Sequence, residues 1–170
     1  MNYISYKNAS IAITGVPVNV GEQARQFSLT SVHFSPVTLE HFKGNKLIIY
    51  TFPSVDSILC ANSIREFNLW AMRFKYITDI TVLCVSIDTP FALIRFIESE
   101  GLDYIKFASC YHSPIFMHDY NTLISDSIFA GFSARAVICI NEKSKIQHHE
   151  LISHLFDEPD YSAAFKSLIK

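Results

Sequence analysis

Paired cysteines, metal-ligand spacings and runs of one charge are all missing from this chain. Its 4 cysteines, Cys60, Cys84, Cys110 and Cys139, lie far apart, with no C-x-x-C, no zinc-ribbon spacing and no disulfide framework. The 7 histidines include His148-His149 but no H-x-x-x-H, so neither a metal site nor any other cofactor is expected. A net charge of -2 without a basic tract excludes the electrostatic footprint of a nucleic-acid partner. No apolar run approaches the ~20 residues that cross a bilayer, so no membrane partner is expected. The stretch Met1 to Ser10 carries Asn, Tyr and Lys instead of a basic start and an apolar core. No secretory signal is therefore expected, and the cytoplasm, where thiols stay reduced, is the expected location. Glycine and proline are scarce, at 5 and 6 residues, which argues against a disordered or loop-dominated chain.

What is present is apolar. The 170 residues are 49% hydrophobic and 14% aromatic, enough to fill the core of one domain spanning 1–170. Ile11, Ile13, Val16, Val18 and Val20 alternate around Gly15, predicting a small N-terminal hairpin over Ser10 to Val20. Short strand pieces are expected at Phe27 to Ser31 and Val37 to Leu39. Lys46 to Phe52 is nearly continuous in apolar residues, the pattern of a strand covered on both faces. Phe67, Trp70, Ala71 and Phe74 then fall at helical spacing. Thr81 to Ser86 predicts a second buried strand, and Asp88-Thr89-Pro90 the cap and first turn of a helix that Gly101 ends. Strands are expected at Tyr104 to Ser109 and Ala134 to Ile140, the latter paired antiparallel with Lys145 to Leu151. A last helix is expected over Tyr161 to Ile169. The order strand–helix–strand–helix–strand, then hairpin and helix, fits an α/β thioredoxin-like fold with a central mixed sheet flanked by helices.

Cys60 follows the first buried strand and the turn Pro53-Ser54-Val55-Asp56-Ser57, where a helix is expected to begin. A thiol there faces unpaired N–H groups and the positive end of a helix dipole, both of which favour thiolate. Ser57, one helical turn earlier, places a hydroxyl beside the sulfur, and Pro53 fixes the chain leaving the strand. Arg135 opens an apolar strand between two alanines, where a guanidinium is costly unless an anion meets it. Two bland readings stand beside these: a cysteine filling a core, and an arginine reaching out to water. Ser63-Ile64-Arg65-Glu66 also has the form of a capping box, which would start the helix later and leave Cys60 in a loop. Cys84 and Cys139 read as core; Cys110 is the one other cysteine expected near the surface. Asp56 and Asp88 read as turn and cap residues.

The segment from Phe52 to Asn68 closely resembles the active-site segment of the bacterial thiol peroxidases, the atypical two-cysteine branch of the peroxiredoxins. The resemblance continues through Val82 to Ser86, Pro90-Phe91-Ala92, Arg95-Phe96, Gly131 to Val137 and Glu158-Pro159-Asp160-Tyr161. It implies a peroxiredoxin fold and a thiol peroxidase acting on hydrogen peroxide and organic hydroperoxides. In that reading Cys60 is the peroxidatic cysteine that becomes a sulfenic acid. Ser57 hydrogen-bonds the peroxide and the thiolate, Pro53 shields the pocket, and Arg135 holds the thiolate and polarises the O–O bond. The family position of Ser57 is usually threonine. Where the family carries its resolving cysteine, this chain has Ile97. The cycle expected is therefore a one-cysteine cycle closed by an external thiol: thioredoxin, glutaredoxin or a low-molecular-weight thiol. The rival is Cys110 acting as a substitute resolving cysteine. A homodimer is implied by the resemblance alone. A peroxide sensor, or a non-catalytic thioredoxin-fold binding module, is the alternative that the missing partner cysteine raises.

Overall fold

The computed structural model describes residues 2–169. Its centre is the run Lys46–Thr51, β5, in which Leu47, Ile48, Ile49 and Tyr50 are wholly buried. Burying each such side chain contributes roughly 1.5–3 kcal/mol, which fixes β5 in the middle of the molecule. It pairs parallel with β6 (Ile80–Ser86) and antiparallel with β9 (Ala136–Ile140). Outward from β6 lie β7 (Lys106–Ser109), β3 (Ser28–Ser31) and β4 (Pro36–Thr38). Outward from β9 lies β10 (Ile146–Leu151), antiparallel as its hairpin turn requires. The seven-stranded mixed sheet runs β10-β9-β5-β6-β7-β3-β4.

Strand alternation divides the core in two. Ile48 and Tyr50, with Cys84, Val137 and Cys139, face α1 (Ile58–Phe74), α2 (Pro90–Glu100) and α4 (Tyr161–Ser167). Leu47, Ile49, Leu83, Val85 and Ile138 face α3 (Ile115–Asp119) and a 3-10 turn at Leu39–Phe42. This is the expected thioredoxin-like sandwich. Gly101 closes α2 in the left-handed conformation, its N–H bonded to Ile97 O, as expected.

Three local expectations change. The N-terminal hairpin lies earlier than Ser10 to Val20: β1 (Asn2–Tyr6) pairs with β2 (Ala9–Thr14) across Lys7-Asn8, and β2 also pairs with β8 (Leu123–Ile124). Gly15 is not a turn tip but a close approach, for a Cβ there would run into the His118 carbonyl and the Asn121 backbone. The strand expected from Ala134 begins at Ala136, because Ala134 N–H turns away to Thr122 O. The cap of α2 is Thr89, not Asp88; Asp88 is spent on the loop before α1.

Candidate active site

Helix α1 begins at Ile58 with Ser57 as its N-cap, so Cys60 sits in the first turn and Ser63 lies inside the helix. The later start at Ser63 does not occur. Ser57 Oγ makes no capping bond and instead serves the Cys60 thiol, together with the backbone at Ser54. The loop carrying these groups is held from below by Asp88. Its carboxylate accepts Ser54 Oγ–H at 2.8 Å, Val55 N–H at 2.8 Å and Ser86 Oγ–H at 2.7 Å. A single carboxylate at the end of β6 thereby ties the turn after β5 to the neighbouring parallel strand.

Arg135, just ahead of β9, is 1% exposed. Its guanidinium is met mainly by neutral oxygens rather than by the single anion expected for it. Nε donates to Tyr50 Oη at 3.1 Å. Nη1 donates to the carbonyls of Leu155 at 2.8 Å and Asp157 at 2.7 Å. Nη2 donates to Ser63 Oγ at 2.6 Å and lies 3.8 Å from Glu158 Oε1. Of the five N–H groups of a guanidinium, one remains, on Nη2. Arg135 and Cys60 are close enough for the charge of each to act on the other.

Cys60, Ser57, Pro53 and Arg135 line one cleft of about 300 Å³. Its other walls are mostly apolar, with Ile4 and Ile11 from the N-terminal hairpin and Leu59, Ile124, Phe129, Phe132 and Leu155, while Ser54 and Asp56 add polar groups beside the turn. The electrostatics differ from the expectation of a net preference for thiolate. Burial pushes the Cys60 thiol up from its ordinary value, while Ser57, the Ser54 backbone and Arg135 pull it back. Desolvation is the larger effect, and no sequence pattern announces it.

Cys110 is not near the surface. It is wholly buried, on the sheet face opposite Cys60, with its Sγ–H donated to Ser86 O at 3.3 Å. Burial pushes this thiol up to about 12. The polar end of β7 tucks under the loop at Asp88, where Ser109 Oγ–H reaches Asp88 O, and this draws Cys110 inward. Cys84 and Cys139 are buried in strands, as expected, and all four thiols are unpaired. Ile97 packs partly buried against the same core layer as Cys60.

Sequence reasoning missed Tyr50, Ser63, Asp88, Glu158 and Tyr161 as parts of this site. Tyr50 offered a signal, a phenol inside an otherwise apolar buried strand, whose hydroxyl needs a partner. Glu158 and Tyr161 stood in a quoted motif without a role. Among the described residues no group of three or more His, Cys, Asp or Glu is placed to hold a metal ion, and no helix is long and apolar enough to cross a membrane.

Comparison with known proteins places the chain as a whole. Residues 20–149 match the AhpC/TSA family. A thiol peroxidase of Corynebacterium glutamicum is 35% identical over 96% of this chain and 96% of its own. One of Vibrio cholerae serotype O1 is 31% identical over 97% and 99%. Among solved structures, a peroxiredoxin-like protein from Aquifex aeolicus superposes with a TM-score of 0.88 at 26% identity, covering 97% of this chain and 95% of that one. A Cys60 cleft of this form and full-length likeness to thiol peroxidases lead to one placement: the chain belongs to the AhpC/TSA family, among its thiol peroxidases.

Proposed function

We propose that this thiol-dependent peroxidase uses Cys60 as its nucleophile, Ser57 and Arg135 as donors to the reacting atoms, and Pro53 as a wall against water. The observation that carries the proposal is the shared cleft, lined by the thiol, the Ser57 hydroxyl and a guanidinium whose charge acts on that thiol. The thiolate sulfur attacks the terminal oxygen of the hydroperoxide. An S–O bond forms, the O–O bond breaks, and the departing alkoxide or hydroxide takes up a proton as alcohol or water. Arg135 stabilises both the entering thiolate and the charge growing on the leaving oxygen, from a position fixed before substrate arrives.

The apolar walls point to organic hydroperoxides alongside hydrogen peroxide, since Ile4, Ile11, Phe129 and Phe132 can cover an alkyl group. Recovery uses an outside reductant, because Cys110 lies on the opposite sheet face, Cys84 and Cys139 are fixed within strands, and Ile97 carries no sulfur. The first external thiol attacks the sulfenic sulfur and releases water, forming a mixed disulfide; a second thiol frees Cys60 and leaves the reductant oxidised. Thioredoxin, glutaredoxin or a low-molecular-weight thiol meets this need. Full-length likeness to thiol peroxidases favours turnover over a sensor or a non-catalytic module. Cytoplasmic residence suits four unpaired thiols, and a secreted fraction with oxidised Cys60 would count against it. A homodimer is proposed for the assembled enzyme, tested by sedimentation.

The decisive experiment is peroxide consumption with a dithiol reductant. Cys60→Ser is expected to abolish it, and unchanged turnover would overturn the assignment. Mass analysis after one equivalent of peroxide is expected to show sulfenic acid or an external mixed disulfide on Cys60. A Cys60–Cys110 disulfide would refute the one-cysteine cycle.

A further inference from the structure

Glu158 does not line the cleft and has no part in the chemistry above. It nonetheless meets Arg135 by two routes. Its Oε1 lies 3.8 Å from Arg135 Nη2, and its Oε2 accepts the Ser63 hydroxyl at 2.8 Å. The oxygen of that same hydroxyl accepts Arg135 Nη2–H at 2.6 Å. The Tyr161 hydroxyl also donates to Oε2 and pins the carboxylate from α4.

Ser63 has one proton to give. A carboxylate at 2.8 Å takes it in preference to Leu59 O at 3.2 Å, which turns a lone pair of Ser63 toward Arg135. The main chain beside Glu158 completes the hold, since the carbonyls of Leu155 and Asp157 occupy both Nη1 hydrogens. With Nε on Tyr50, the guanidinium has no freedom to turn. Glu158 is also the one carboxylate within 4.0 Å of Arg135 among the described residues. While Cys60 is a thiol, Glu158 is the counter-ion of a buried cation; once Cys60 ionises, two anions share it.

We infer that Glu158, acting through Ser63, is a positioning residue for Arg135: it fixes one Nη2–H on Ser63, leaves the other for the cleft, and shares the cation with the Cys60 thiolate. This rests on the Cys60–Arg135 reading given under Proposed function. The groups whose charges act on Cys60 from the packed elements are Arg135 before β9, Asp88 after β6 and Tyr50 on β5.

Two reactions of Cys60 separate aim from charge. Alkylation by iodoacetamide needs only thiolate, whereas reaction with peroxide also needs Arg135 correctly turned. Glu158→Ala is expected to slow the peroxide reaction about tenfold, the scale of a misaimed donor. Alkylation at pH 7 is expected to hold or rise up to about threefold, because Arg135 is no longer shared with a second anion. Glu158→Gln keeps an oxygen acceptor for Ser63 and is expected to restore the peroxide rate to within about threefold of the parent, with alkylation still raised. Glu158→Ala with both rates unchanged overturns the inference. So does a parallel fall of both rates in Glu158→Gln, which marks a merely structural role. An unmutated protein whose Cys60 is alkylated but ignores peroxide refutes the underlying reading instead, and the inference with it.

Discussion

Arg135→Lys keeps the positive charge and removes the fork. The guanidinium gives one hydrogen bond from Nε, two from Nη1 and one from Nη2, which leaves one Nη2–H over. An ammonium has three hydrogens on one atom and cannot reach Tyr50, Leu155, Asp157 and Ser63 together. At least two buried acceptors then lose a charged donor, at about 1.5–3 kcal/mol each. The expected loss of stability is about 3–6 kcal/mol, and a midpoint of thermal unfolding lower by roughly 10 °C for a chain of this length. Activity should suffer separately, because the donor aimed at the developing charge has gone, an effect on the order of 10²–10³ in rate. Urea titration gives the first quantity. Stopped-flow fluorescence gives the second, read through Trp70, the one tryptophan, which lies on the same helix as Cys60. Measurements well below the lowered midpoint keep the folded fraction constant. A lysine variant reacting with peroxide within about threefold of the parent would refute the reasoning, for charge alone would then suffice.

Asp88→Ala should leave the Val55 N–H and the hydroxyls of Ser54 and Ser86 without their acceptor, costing about 2–3 kcal/mol in urea unfolding and slowing the peroxide reaction about tenfold; full stability in this variant would show that the loop is held otherwise. Burial holds Cys110 and Cys139 up to about 12, so the folded protein keeps protons that the unfolded chain releases from ~8.5. The folded state then binds more protons across this window, and stability is complete below it and falls as pH rises through it. Urea midpoints should drop with a slope that Cys110→Ala makes shallower, and equal slopes would contradict the assignment.

The layers of the molecule were legible because β5 and β6 carry apolar residues on both faces, a pattern that permits little besides a covered parallel pair. Cys60, Ser57 and Pro53 were legible for a related reason: strand end, turn and first helical turn are local in sequence, so spacing alone places them. Arg135 stood out as a charge among apolar residues. Its holders did not, since Ser63 and Tyr50 lie 72 and 85 residues away and nothing in a linear pattern reports such a pairing. Cys110 was misjudged because it follows a strand, whereas the bonds of Ser109 to Asp88 and of Cys110 to Ser86 pull the chain inward. The Gly15 hairpin failed on the period-2 pattern itself, which located β2 correctly in phase but said nothing of which side its partner lay.

The cradle of Arg135 is closed by two segments far apart in sequence. Ser5 N–H donates to Ser153 O, Leu155 N–H donates to Ser5 O, and Ser5 Oγ meets His154 Nδ1, fastening the segment whose carbonyls grip the guanidinium. These contacts span 148 or more residues, so their loops are among the slowest to close. Cys60 and Ser57, local in sequence, can therefore come together well before the carbonyls that hold Arg135 are in place.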